Sequence, residues 1–192
     1  MTRLMAFLLM FLVPPGALAA ETPSGGLIED DVTVEYRDGS YFASLNLRVL
    51  ASPAQTLEVL TDFEHMADFV PNLVASHVVS RSGNVYIIHQ QGKAVFGPFS
   101  FPFESERRIE WFPDGRLVAQ ALSGSTKYMR SELRYQGVAG STRIDYHMEV
   151  VPDRWIPSSV GVSLMRHELA EQFSALAHEM ARRQNLRPGS QP

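Results

Sequence analysis

The chain contains no cysteine, which excludes a disulfide framework, a thiol nucleophile and a lipid-anchored N-terminal cysteine. It also lacks concentrated positive charge. Lys plus Arg number 17 against 21 Asp plus Glu, a formal net charge of −4, and no basic cluster exceeds Arg107-Arg108 or Arg182-Arg183. A nucleic-acid binder gathers basic charge on one face, so neither DNA nor RNA is expected as a partner. Long apolar runs are missing too: residues 4–13 are too few to span a bilayer, and Pro14-Pro15-Gly16 breaks any helix beyond them. There is no internal repeat and no low-complexity tract.

What stands at the N-terminus has the form of an export signal. Arg3 supplies the positive start, residues 4–13 the apolar run and Ala17-Leu18-Ala19 a small-x-small cleavage site. The expected organisation is a signal peptide over 1–20, a flexible segment over 21–29, one folded domain over 30–186 and a flexible tail over 187–192. The expected location is periplasmic or secreted.

The segment 52–73 carries the densest signal. Ser52 is a helix cap, Pro53 a first helical residue, and Gln55 holds the position where a capping box places its second member. Leu57, Leu60, Phe63, Met66, Phe69 and Val70 recur at spacings of three and four before Pro71 stops the run. One or two short helices with a single greasy face are expected, placed as a gate over an apolar space.

Around this gate lie alternating strands. Ala43, Leu45, Leu47 and Val49 share one face of a run that follows the Asp38-Gly39 turn, and a second hairpin is expected over 75–80 and 85–93. Phe99, Phe101, Phe103, Ile109 and Trp111 fall on odd positions, with Ser100, Glu104, Glu106, Arg108 and Glu110 on even ones. A last hairpin is expected over 127–135 and 143–151. Charge pairing favours Arg134 opposite Asp145, Glu132 opposite His147 and Arg130 opposite Glu149. A long helix then begins at Pro157-Ser158-Ser159. Val162, Met165, Leu169, Phe173, Leu176 and Met180 form its stripe, with Arg166, Glu171, His178, Glu179, Arg182 and Arg183 expected to face outward.

This order of elements, with Leu60-Thr61-Asp62-Phe63-Glu64, Phe69-Val70-Pro71-Asn72-Leu73 and the terminal amphipathic helix, resembles the START-like helix-grip (SRPBCC) superfamily. Its nearest branch is the coenzyme Q-binding and polyketide cyclase/dehydrase group, and the likeness runs over residues 30–184. The resemblance implies an α+β fold, a curved antiparallel sheet gripping a long C-terminal helix, with two short helices after the first strands. It further implies a tunnel for hydrophobic molecules such as lipids, sterols, quinones or polyketides. The group includes a ribosome-associated toxin branch, which an export signal opposes.

Strand parity and the helix stripe nominate the lining of that tunnel: Phe63, Phe69, Leu73, Ile87, Phe101, Phe103, Arg107, Trp111, Met129, Leu133, Tyr146, Met148, Met165, Leu169 and Phe173. Arg107 is the charge on the apolar face of its strand. One reading places it against the polar head of a greasy ligand; the other turns it outward through a bulge at Ser105 or pairs it with Glu58 or another acid. Asp62, Glu64, His65 and Asp68 read as solvated helix ends, since their spacing matches neither a calcium loop nor a zinc pair. His89 and Gln91 share parity with Val85 and Ile87, which leaves them as cavity or surface residues. Phe96, Phe99, Phe101 and Phe103, around Gly97-Pro98 and Pro102, read as core or as a rim making transient membrane contact.

No catalytic constellation, metal site or cofactor is expected. The functional expectation is an exported protein that holds a hydrophobic small molecule, a lipid, quinone or polyketide-like compound, without transforming it. A cyclase or dehydratase using Arg107, His89 and Tyr146 is the rival, and an interaction module with a closed cavity the third reading.

Overall fold

Alternating runs separated by short turns fold into a single antiparallel sheet. In the computed structural model, which describes residues 29–96 and 99–186, the strands are β1 (Thr33–Arg37), β2 (Ser40–Val49), β3 (Leu73–Ser82), β4 (Val85–Phe96), β5 (Phe99–Phe112), β6 (Arg116–Gly124), β7 (Thr126–Val138) and β8 (Ser141–Pro152). The expected signal peptide at 1–20, nearly all of the 21–29 segment and the tail at 187–192 lie outside the described residues. The sheet order is β1-β2-β8-β7-β6-β5-β4-β3, which leaves β1 and β3 as edges. Asp38 and Gly39 take φ of 51° and 87° between β1 and β2. Two successive positive values give the turn whose twist suits a two-residue hairpin.

The last hairpin adopts the charge-matched register, with Arg134 opposite Asp145, Glu132 opposite His147 and Arg130 opposite Glu149. Two extra residues bulge from β3, at Val74 and Val79, where the pairing with β4 shifts register.

The gate begins as its sequence dictates. In helix α1 (Pro53–Leu60) the Ser52 Oγ accepts a 3.3 Å hydrogen bond from the Gln55 backbone N–H. The return half of the capping box is absent. The Gln55 side chain is buried beneath the helix, with neither amide atom hydrogen-bonded. Ser52→Ala therefore removes one cap bond and should lower unfolding free energy by about 1 kcal/mol, read from urea denaturation. After Thr61 come a 3-10 turn (Phe63–His65) and the short helix α2 (Met66–Phe69). Pro71 prevents continuation, and Asn72, at φ 69°, swings the chain into β3.

The long helix α3 (Ser158–Asn185) lies against the concave face of the sheet. Leu164, Leu169, Phe173 and Met180 are buried there, and with Tyr41, Ala43, Leu45, Ile88, Ile109, Leu133 and Ile144 they belong to the buried core. Glu179 corrects the outward face expected of this helix, because it is only 6% exposed. It accepts hydrogen bonds from Arg182 Nε at 2.6 Å and Arg183 Nε at 2.6 Å, and Arg183 also reaches Asp62 Oδ2 at 2.6 Å. The reason is local: α3 ends against the gate, so its last turn meets Asp62 instead of water.

Candidate functional site

Between the sheet, the gate and α3 lies a cavity of about 410 Å³. That volume is in the range of small-molecule sites, and the wall is mostly apolar. Its outer end is marked by Glu104, whose side chain is 60% exposed, together with Ser105, Ser125 and Thr126. Its walls carry Leu60, Phe63, Met66 and Val70 from the gate, Leu117 and Ala119 from β6, and Leu164, Glu168, Gln172 and Leu176 from α3.

Of the lining nominated from sequence, Phe63, Leu73, Phe103, Arg107, Met129, Leu133, Tyr146, Met148, Met165, Leu169 and Phe173 border this cavity. Phe69, Ile87, Phe101 and Trp111 do not. Phe69 turns to the outside of the gate, where the Arg183 guanidinium sits 5.7 Å from its ring centroid. Trp111 closes the far end of the sheet, its indole N–H donating to the Tyr135 hydroxyl at 3.0 Å. Phe101 lies beyond Phe103 toward the hairpin tip, where its partner Ala94 and not Phe101 itself borders the cavity.

Ile87 is corrected by pairing geometry. Phe96 opposes Phe99 across a two-residue connection, so even positions of β4 oppose odd positions of β5. Opposed residues point to the same side of a sheet. Ile88 therefore faces inward with Arg107, and Gln90 with Ser105, while Ile87, His89 and Gln91 face outward. His89 Nε2 lies 2.7 Å from Glu104 Oε1, and its ring sits 4.9 Å from that of His77. It has no part in the cavity. Gly92 continues the inner face opposite Phe103, and a Cβ there would lie 2.4 Å from the Phe103 ring and 2.2 Å from the Asn72 carbonyl oxygen.

Arg107 stays inside. The register of β4 with β5 runs without a shift, and the nearby bulge falls in β6 instead, at Leu122. Arg183 is the arginine that approaches Glu58, at 3.8 Å. One Arg107 terminal nitrogen donates to Gln90 Oε1, and its Nε is buried without a hydrogen bond. Gln90 in turn donates to Ser76 Oγ at 2.9 Å and to Met66 Sδ at 3.4 Å, so both hydrogens of its NH2 are engaged. Burial pulls the Arg107 guanidinium below its ordinary range, with the neighbouring Tyr146 acting in the opposite sense. Burial pushes the Tyr146 phenol up, against hydrogen bonding with Ser131 and the charge of Arg107. A guanidinium has no acceptor and a phenol carries an O–H, so the inner cavity presents donors.

Gln90 was not nominated from sequence, because nothing in Val85-Tyr86-Ile87-Ile88-His89-Gln90 distinguishes the two faces of that strand. Glu168 was also missed. It accepts from Asn72 Nδ2 at 3.3 Å and from the Val95 backbone N–H at 3.3 Å, joining α3 to the gate loop and to β4. Burial raises its pKa, while the Asn72 and Val95 hydrogen bonds oppose that rise.

A sheet wrapped on a long helix around an apolar cavity defines a helix-grip protein that binds hydrophobic molecules. Residues 49–175 match the polyketide cyclase / dehydrase and lipid transport family, and the chain belongs to it. Solved structures agree on the START-like fold. The aromatase/cyclase Zhui from a Streptomyces species superposes with a TM-score of 0.66 at 14% identity, covering 80% of this chain and 99% of that one. A START superfamily protein from Mycobacterium smegmatis gives 0.64 at 13% identity, covering 73% and 97%. A STAR-related lipid transfer protein from Xanthomonas axonopodis gives 0.61 at 15%, covering 78% and 92%. At such identities the likeness is one of fold. No curated protein sequence matches this chain.

Proposed function

We propose that this protein is an exported carrier that shelters a hydrophobic small molecule without transforming it. The observation that carries the reading is the chemistry of the cavity: a mostly apolar wall whose inner polar groups Arg107 and Tyr146 are, as residue types, hydrogen-bond donors rather than bases. General acid–base chemistry needs a group of tuned pKa within reach of the substrate. Of the carboxylates that border the cavity, Glu104 is held by His89, and Glu168, whose pKa burial raises, is held by Asn72 and Val95 at the join of α3, the gate loop and β4. Affinity would come from apolar surface removed from water, about 25 cal/mol per Å² before the costs of ordering. The Arg3 to Ala19 leader supports export to the periplasm or the medium.

The test is native mass spectrometry of protein purified from its own cell envelope, followed by solvent extraction. A co-purifying lipophilic molecule is expected. Recovery of ligand-free protein that also fails to take up any apolar probe would overturn the reading. Ala119→Trp projects an indole into the cavity from β6, and is expected to abolish the co-purifying mass while secondary structure, by circular dichroism, stays unchanged.

A cyclase is the second reading, favoured by the presence of both Arg107 and Tyr146 in the cavity wall and by the likeness in fold to Zhui. Turnover of a polyketide-like substrate that is lost in Tyr146→Phe with binding retained would establish it.

A further inference from the structure

The inner end of the cavity is out of balance. Arg107 brings a full positive charge into the wall, and among the described residues no carboxylate forms an ion pair with it. Its protein acceptor is the neutral Gln90 Oε1, and its Nε is left without a hydrogen bond. Arg107 is half-buried, with its Nε wholly buried, and a guanidinium withdrawn from water without a counter-charge is costly and normally answered by a carboxylate or phosphate. Tyr146 lines the same cavity and brings a phenol O–H as a second donor. The Gln90 NH2 is spent on Ser76 and Met66, so it offers no donor to a guest. Two donors and one unpaired positive charge at this end of a mostly apolar chamber, with the bordering carboxylates Glu104 and Glu168 engaged by His89 and by Asn72 with Val95, make a receptor for a small oxyanion attached to a greasy chain.

The geometry points to a carboxylic acid amphiphile as the ligand, its carboxylate held by the Arg107 fork with Tyr146 as a second donor and its chain along Met129, Met148 and Leu169. This assignment rests on the carrier reading and sharpens it. A monoanion neutralises the single guanidinium, whereas a phosphate monoester would bring surplus negative charge into the same apolar wall. A planar carboxylate also suits the fork geometry of arginine. A neutral alcohol or quinone head would leave Arg107 uncompensated.

The experiment displaces Nile red, a neutral probe, from the full-length mature protein with dodecanoic acid, dodecanol or dodecyl phosphate. The acid should displace it at a concentration about tenfold or more below that of the alcohol, the range expected of hydrogen bonds to a charged group. It should also outcompete the phosphate. In Arg107→Met the advantage of the acid over the alcohol should vanish while alcohol binding persists. Replacing an uncompensated buried charge by an apolar side chain of similar length leaves folding intact, checked by thermal melting. Tyr146→Phe, which keeps the ring in place, should weaken the acid several-fold and leave the alcohol unchanged. Equal displacement by acid and alcohol in the wild type, tighter binding of the phosphate, or an acid preference that survives Arg107→Met would each overturn the head-group assignment and leave the carrier reading standing. Failure of wild-type protein to take up Nile red and all three ligands would overturn the carrier reading itself.

Discussion

Gly161→Val is expected to lower the melting temperature by about 10 °C, as a loss of about 3 kcal/mol would in a domain of this size. A Cβ at Gly161 would stand 2.2 Å from the Tyr41 hydroxyl and 2.5 Å from the carbon that bears it. Tyr41 cannot yield easily. It is 2% exposed on β2, and its hydroxyl donates to the Ile156 carbonyl at 3.3 Å. Valine must therefore push the first turn of α3 off the sheet or eject a buried ring. Glycine inside a helix ordinarily costs about 1 kcal/mol relative to alanine, so Gly161→Ala should show a smaller net loss, the helix gain offsetting part of the clash. Differential scanning calorimetry of both variants checks the order. Because Leu164, Met165 and Glu168 border the cavity one to two turns further on, Gly161→Val should also weaken ligand uptake.

The second large effect is expected in acid. Arg182, then Arg183, hold the Glu179 carboxyl well down, at about 2, against the desolvation that raises it. Asp62 is also depressed, with hydrogen bonds from His65 and Arg183 prevailing over its burial. A carboxylate with a depressed folded pKa contributes its stability fully above the unfolded value near 4.5 and loses it as pH falls toward the folded value. The join between gate and α3 should therefore weaken between about pH 5 and about pH 2. Glu179→Gln should cost about 2 kcal/mol at neutral pH, a figure reduced from the full shift because Arg182 lies mostly in solvent. The difference between variant and wild type should shrink at about pH 3, measured by urea denaturation across pH. An offset that stays constant with pH would locate the loss in packing instead of charge.

The residues that disclosed the fold are those whose alternation could be decided within one strand. On β5 the odd positions Phe103, Arg107 and Ile109 border the cavity together, and only inner-face chemistry had to be read. On β7 and β8 the charges were distributed so that one register satisfied all of them. β4 offered no such handle, since Tyr86 and Ile88 are as apolar as Val85 and Ile87. Its inward face is set from outside, by the two-residue connection that places Phe96 opposite Phe99. That parity brings Gln90 to Arg107, and a sequence pattern confined to β4 could not reveal it. Glu179 and Phe69 were assigned to the wrong environments for the same kind of reason. The helix stripe says which side of α3 meets the sheet, but not that its last turn runs into the gate, where Arg183 lies between Asp62, Glu179 and the Phe69 ring.

The open ends of the sheet bear on how this protein behaves when crowded. β1 has five residues and displays Glu35 and Arg37, while β3 is broken by the extra residues Val74 and Val79, which are 74% and 52% exposed. A second copy seeking to extend the sheet would meet charge at one border and a distorted ladder at the other. The bulges that carry two valines into solvent thus distort the border with which a second copy's strand would have to pair.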